Sequence, residues 1–264
     1  MGVSLTHCYK RICVLLLVFF SASHYALASD EARSGKHKYP DDLVNVVPGE
    51  NFTAAIDEDG ELWLWGDFSA LGLSNSVITY RNKKGNIRFS QLRNDSRGRD
   101  IVDDISAIAL GKEHILMLKT NGSLWSVGKN TFGQLGTGDN QNQEFPVEID
   151  LALFAIPAIK QIVSGVYHNV IVAGDDNLVY AWGSNANGQL GNAGSQNVNS
   201  PTAVVDSDGN QLNQVTQIST KGEHNLAIRG IDNNLWVWGK NLDGELGLGH
   251  NENTFVATQV MIDE

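Results

Sequence analysis

Cysteine and proline are both scarce in this chain of 264 residues, with two of the first and five of the second. Cys8 and Cys13 sit in an apolar N-terminal segment and no further cysteine follows them. Outside that segment no disulfide can hold the fold and no thiol can act as a nucleophile. So few prolines, and 27 glycines without a G-x-y period, exclude collagen and favour a turn-rich β protein. After Phe20 no long apolar run occurs, which leaves nothing to serve as a stable membrane anchor. Basic charge is in deficit: 19 Lys and Arg face 30 Asp and Glu, a net of −11. That balance opposes a protein that coats nucleic acid through its overall field, and no nucleic-acid partner is expected. A G-x-S-x-G elbow, a phosphate-binding loop and any paired Ser and His are missing too. No catalytic residue, cofactor or enzymatic activity is therefore expected.

What is present begins with residues 1–28. Lys10 and Arg11 lead into the apolar run Ile12 to Phe20, and Ala26-Leu27-Ala28 has the small-x-small pattern of a signal-peptidase site. The run is too short to span a bilayer permanently. The segment reads as a signal peptide cut near Ala28, which predicts a secreted or periplasmic product. Removing it takes both cysteines and two bases but no acid, so residues 29–264 carry 17 Lys and Arg against 30 Asp and Glu, a net of −13. Residues 29–42 read as a linker, and 43–264 as the folded domain.

Internal repetition organises that domain. Four windows end in glycine: Leu62-Trp63-Leu64-Trp65-Gly66, Leu124-Trp125-Ser126-Val127-Gly128, Val179-Tyr180-Ala181-Trp182-Gly183 and Leu235-Trp236-Val237-Trp238-Gly239. They contain all six tryptophans, and their glycines are 62, 55 and 56 residues apart. A period of that size built from strands indicates a propeller or solenoid unit. Each window follows a turn of residues that tolerate positive φ, namely Asp59-Gly60, Asn121-Gly122, Asp176-Asn177 and Asn233-Asn234. Spacing of two puts Trp63, Trp125, Tyr180 and Trp236 on the same strand face as Trp65, Val127, Trp182 and Trp238. Three to four antiparallel strands per repeat make one propeller blade, with repeats near 43–80, 101–150, 158–206 and 214–262.

The loop after the aromatic strand carries a resemblance. Trp182 to Gly191 reads W-G-x-N-x-x-G-Q-L-G, Trp238 to Gly247 repeats it with Glu245 for Gln, and Gly128 to Gly136 repeats it behind Val127. Upstream stand Gly111-Lys112-Glu113-His114, Gly165-Val166-Tyr167-His168 and, with its glycine shifted by one, Gly222-Glu223-His224. Together these resemble the repeat of the regulator of chromosome condensation family, over roughly residues 43–262. The first repeat departs: its loop, Trp65 to Gly72, is two residues short and lacks the Asn, and Phe52 replaces His. The resemblance implies an all-β propeller-type array. Its usual ring has seven blades, whereas four repeats cover little more than half a turn, so an incomplete or self-associating arc, with a homodimer as one outcome, is expected. The final segment, Phe255 to Ile262, is placed so that it could complete the first blade and protect its edge.

His114, His168 and His224 invite comparison with a metal triad, but each holds the same position in a different blade. Equivalent positions on neighbouring blades lie too far apart for shared ligation at ~2.1 Å, so no metal site is assigned and the histidines read as packed side chains bonding a neighbouring loop. Asn130, Asn185 and Asn241 read as turn-bonding residues. Asp206-Ser207-Asp208-Gly209-Asn210 resembles the start of a calcium loop, but Gln217 stands where the closing glutamate belongs, leaving a solvated turn.

One segment suggests an interaction. Residues 80–100, read as an insertion between the first two repeats, hold Arg81, Lys83, Lys84, Arg88, Arg93, Arg97 and Arg99. Residues 101–264 carry seven bases against 18 acids, so the molecule is bipolar. A basic loop of this kind is suited to an anionic partner, whether an acidic protein face or a phosphate-bearing surface. The expected function is an extracytoplasmic protein–protein interaction module or scaffold with a protein partner. The resemblance adds an inhibitor-like binder as one version of it. The alternative that the family name implies, a guanine-nucleotide exchange or regulatory factor for a small GTPase, is opposed by the signal segment and by the acidic balance.

Overall fold

The computed structural model describes residues 42–74, 78–84, 87–92, 102–230 and 233–261. The expected signal segment lies outside them, as do residues 29–41 of the expected linker. The described residues are all β apart from one 3-10 turn, η1 (Ser69–Leu71).

Four antiparallel sheets follow one another along the chain. Blade 1 contains β1 (Leu43–Pro48), β2 (Phe52–Asp57), β3 (Leu62–Gly66), β4 (Ile78–Lys84) and β5 (Ile87–Leu92), in the spatial order β1-β2-β3-β5-β4. Blade 2 is a meander of β6 (Ile105–Leu110), β7 (His114–Lys119), β8 (Leu124–Gly128) and β9 (Gln143–Ile149). Blade 3 repeats it with β10 (Ile159–Ser164), β11 (His168–Ala173), β12 (Leu178–Gly183) and β13 (Val198–Ala203). Blade 4 does so with β14 (Val215–Lys221), β15 (His224–Arg229), β16 (Asn234–Gly239) and β17 (Thr254–Gln259).

The turns before the aromatic strands are built as their residues dictate. Gly60 and Gly122 have φ of 73° and 86°, and Asn177 and Asn233 have φ of 50° and 56°. Asn is among the side chains that tolerate this region most readily. The first two strands of every blade also share one irregularity, a register shift at Leu43/Asn45, Ile105/Ala107, Ile159/Gln161 and Val215/Gln217. A bulge at a fixed place increases local twist, which gives each sheet the same propeller-blade warp.

Packing occurs between blades. In blades 2 to 4 the aromatic face is turned toward the preceding blade. Trp236 and Trp238 share a buried cluster with Val170, Val172, Val179 and Ala181 of blade 3. Tyr180 and Trp182 pack with Leu116, Leu118 and Leu124 of blade 2. Trp125 and Val127 join Ala54, Ile56, Leu62 and Leu64 of blade 1. A fully buried tryptophan removes roughly 150–250 Å² from water, on the order of 4–6 kcal/mol as an upper bound, so these junctions hold the array without a disulfide.

Two expectations need correction. The last strand does not complete the first blade: β17 pairs with β16 through Trp236↔Gln259 and Val237↔Thr258, because the loop before it returns to its own sheet. The basic segment, read as a loop, is in part a hairpin. β5 pairs with β3 through Leu62↔Leu92, Trp63↔Gln91 and Leu64↔Ser90, and β4 pairs with β5 on the outside. Each blade packs on its neighbour in sequence, giving an arc of four blades in which, among the described residues, the far face of blade 4 carries no further blade.

Candidate functional site

The recurring His, Asn and Trp side chains are brought together at the junctions, where each belongs to a relay between two blades. His114 of blade 2 lies with Nε2 2.8 Å from Asn169 Oδ1 of blade 3, and His168 of blade 3 lies 2.9 Å from Asn225 Oδ1 of blade 4. The asparagine amides are fixed by their other ends. Asn169 Nδ2 donates to the Gln134 carbonyl at 2.7 Å, and Asn225 Nδ2 to the Gln189 carbonyl at 2.8 Å. With the amide so oriented, Oδ1 is the acceptor and each histidine donates through Nε2–H. The same two carbonyls also accept from Trp182 Nε1 and Trp238 Nε1, both at 3.1 Å.

Burial dominates the chemistry of these histidines. Both have no exposed surface, and desolvation lowers their pKa from 6.5 to about 4, against a smaller opposing effect of the asparagine bond. They are neutral at pH 7, and Nδ1 of each is buried without a partner. Each ring stands over a glycine: a Cβ on Gly111 would lie 2.0 Å from His114 Cε1, and one on Gly165 2.1 Å from His168 Cε1. The G-x-x-H element thus exists because only glycine leaves room for the ring.

The first junction is built differently. Phe52 holds the histidine place, Ile115 the asparagine place and Val127 the tryptophan place, and all three are buried in one cluster. Three polar members are replaced together by apolar ones, so no half-satisfied relay is left. Sequence reading registered Phe52 and Val127 as departures but missed Ile115 as their partner, since only the junction reveals which residues face each other.

Asn130, Asn185 and Asn241 brace the loops. Their Oδ1 atoms accept from the amides of Leu135, Leu190 and Leu246, each at 2.9 Å, and all three residues are buried. Their Nδ2 atoms reach across to the carbonyls of Asp139, Gly194 and His250 at 3.0, 2.8 and 2.8 Å. Asp206 organises its turn through Oδ1, which accepts from the amides of Asp208 and Asn210 at 3.0 and 2.9 Å.

The blades meet again at the inner ends of their first strands. The turns Pro48-Gly49-Glu50, Leu110-Gly111-Lys112, Ser164-Gly165-Val166 and Lys221-Gly222 line one open cavity of about 290 Å³. The Lys112 amide donates to the Val166 carbonyl and the Val166 amide to the Gly222 carbonyl, at 3.0 and 2.9 Å. Lys112 Nζ also pairs with Glu50 at 3.3 Å, which raises the lysine pKa.

Of the basic residues expected to contact a partner, Arg81, Lys83 and Lys84 lie on β4, the outermost strand of blade 1, and Arg88 lies on β5. Arg93, Arg97 and Arg99 lie outside the described residues.

The signature described as Regulator of chromosome condensation (RCC1) repeat matches residues 121–172 and 176–228, and a second signature of that description matches 105–134 and 159–189. Each longer match begins before the aromatic strand of one blade and ends in the second strand of the next, so it spans a junction, not a blade. The ultraviolet-B receptor UVR8 of Arabidopsis thaliana is 31% identical over 208 residues, covering 78% of this chain and 43% of the receptor. The mitochondrial RCC1 domain-containing protein RUG3 of the same plant is 29% identical over 206 residues, covering 77% and 43%. The chain spans less than half the length of either relative. The solved structure of human WBSCR16 matches with TM-score 0.66 at 20% identity, covering 86% of this chain and 55% of that one. Prp20p of Saccharomyces cerevisiae matches with TM-score 0.66 at 20% identity, covering 83% and 50%. These two likenesses establish the propeller fold.

Proposed function

The chain belongs to the RCC1 repeat family, matched across residues 105–228, and on that premise we propose that it is an extracytoplasmic protein-binding scaffold whose basic edge docks an acidic protein partner. The observation that carries this reading is the place of the charge. Four of the seven clustered bases, Arg81, Lys83, Lys84 and Arg88, sit on the hairpin that blade 1 adds to its outer side. An outermost strand rich in lysine and arginine resists non-specific pairing and attracts an acidic surface. The family setting agrees: Prp20p has been studied for its binding to Gsp1p and histones, and UVR8 is named a receptor. The inward histidines and asparagines are occupied in holding blades together, so recognition falls to edges and loops.

Export is part of the proposal and rests on residues 10–28. The full chain expressed with its leader should yield a product beginning at Ser29, as intact mass would show. A product retaining Met1 or Gly2 would end the extracytoplasmic reading. For the docking edge, the protein is immobilised and used to capture partners from an extracytoplasmic extract over a salt series. Wild type should retain an acidic protein at about 50 mM salt and release it by about 300 mM, since exposed charge contacts are screened over that range. The Arg81→Ser, Lys83→Ser, Lys84→Ser, Arg88→Ser variant should lose that capture. Equal capture at equal salt by both proteins would overturn the reading.

A further inference from the structure

The far face of blade 4 is a blade-packing surface without a blade on it, and we infer that it receives blade 1 of a second copy of this chain. The inference rests first on junction geometry; it shares the basic strands of blade 1 with the acidic-partner reading, and the substitutions that test it lie outside those strands.

The same surface is covered in every earlier blade. Ala54, Ile56 and Leu62 of blade 1, Leu116, Leu118 and Leu124 of blade 2, and Val170, Val172 and Val179 of blade 3 are at most 9% exposed. Their counterparts in blade 4, Leu226, Ile228 and Leu235, are only half-buried. The polar relay is open at the same place. The Gln134 and Gln189 carbonyls each accept an asparagine amide and an indole N–H from the next blade, whereas among the described residues the Glu245 carbonyl receives neither. His114 and His168 face an asparagine, but half-buried His224 has none opposite it among the described residues. A Cβ on Gly136 or Gly191 would strike Trp182 or Trp238 at 2.6 or 2.8 Å, while one on Gly247 meets nothing within 4 Å.

The matching face of blade 1 is open along its first strand, while Ala55 and Trp63 deeper on that face are already covered, at 0 and 1% exposed. Val46 is in register with Ala55 as Ile108 is with Met117, Ile162 with Ile171 and Ile218 with Ala227. Those three isoleucines are 5, 8 and 6% exposed, buried against the blade before them, while Val46 is 51% exposed. Thr53 stands opposite Trp65 as Asn225 stands opposite Trp238, so the register of the relay positions is the same in blade 1.

Charge favours the same occupant. Within the chain, the outer strand of one blade lies against the loop of the blade before it, as the Gly138 amide bonded to the Asn199 carbonyl at 2.8 Å shows. An incoming blade 1 therefore brings its basic outer strands to the loop 240–253. That loop carries Asp243, Glu245 and Glu252, where 129–142 has only Asp139 and 184–197 has no acid. The loop richest in acids is thus the one whose neighbour would be basic, although Lys240 within it already pairs with Asp243 at 3.7 Å and Glu245 at 3.2 Å.

The experiment measures the mass of the purified full chain by light scattering over a concentration series. Wild type should rise from one chain toward two, and raised salt should shift that rise to higher concentration. Val46→Lys alters an exposed side chain of blade 1, and Leu226→Lys places a charge on the half-buried face of blade 4. Each should weaken association at least tenfold, with an unchanged circular dichroism spectrum confirming the fold. Growth past two copies that both substitutions reduce supports the contact in an unclosed form. A single-chain mass at every concentration would overturn the inference, as would an assembly indifferent to both substitutions. Neither substitution touches the basic hairpin, so this outcome is distinguishable from failure of the acidic-partner reading.

Discussion

At the scale of single residues, the buried histidines make a pH-dependent prediction. Their pKa is about 6.5 in the unfolded chain and about 4 in the folded one. Between those values the unfolded state takes up protons that the folded state refuses. Stability is full above pH 6.5 and falls as pH drops, by about 3 kcal/mol per histidine near pH 4. Replacing one junction with the apolar version found at Phe52 and Ile115 tests this: the double variant His168→Phe, Asn225→Ile should show a shallower loss of stability between pH 6 and 4.5, by about one proton. An unchanged slope would refute the assignment. His168→Phe alone leaves the Asn225 oxygen buried without its histidine donor, so it should cost about 1–3 kcal/mol more than the pair. From sequence the histidines are legible as packed structural side chains. That they bond an asparagine 55 or 57 residues away is not, because the partner lies in the next repeat at a position where Thr53 and Ile115 interrupt the pattern.

At the scale of elements, the aromatic strands and their turns are readable from spacing, since period two and Asn or Gly at the turn determine both face and direction. The hairpin of blade 1 is not. Ile87-Arg88-Phe89-Ser90-Gln91-Leu92 alternates like a strand, but Arg88 and the bases on either side of it, from Arg81 to Arg99, give the segment the composition of a solvated loop. What decides between the two is Leu92, which is fully buried in the cluster with Leu62 and Leu64. Leu92→Ala should therefore cost about 2–4 kcal/mol in urea denaturation, the range for a leucine lost from a packed core. A cost below about 0.5 kcal/mol, the range of surface changes, would show that β5 is not part of the first blade.

At the scale of the whole molecule, four repeats are legible in the sequence but the closure of the array is not, because wedge angle depends on side chains that meet across junctions. Those junctions are unequal in chemistry, and the inequality predicts the order in which the array opens. Repeat arrays respond to the sum of nearest-neighbour terms, so a junction weakened by protonation opens without its neighbours. His114 lies at the junction of blades 2 and 3, and His168 at that of blades 3 and 4. The junction of blades 1 and 2 has Phe52 and Ile115 instead, and its Glu50–Lys112 pair is too exposed to contribute much. Acidification should then loosen blades 3 and 4 before the pair formed by blades 1 and 2. Hydrogen exchange followed peptide by peptide at pH 7 and 4.5, corrected for intrinsic rates, measures this directly. Protection in β2, β3, β7 and β8 should persist at pH 4.5 while that in β11, β12, β15 and β16 falls by at least tenfold. Uniform loss along the chain would mean that the four blades unfold as one unit and that the histidine relays do not set local stability.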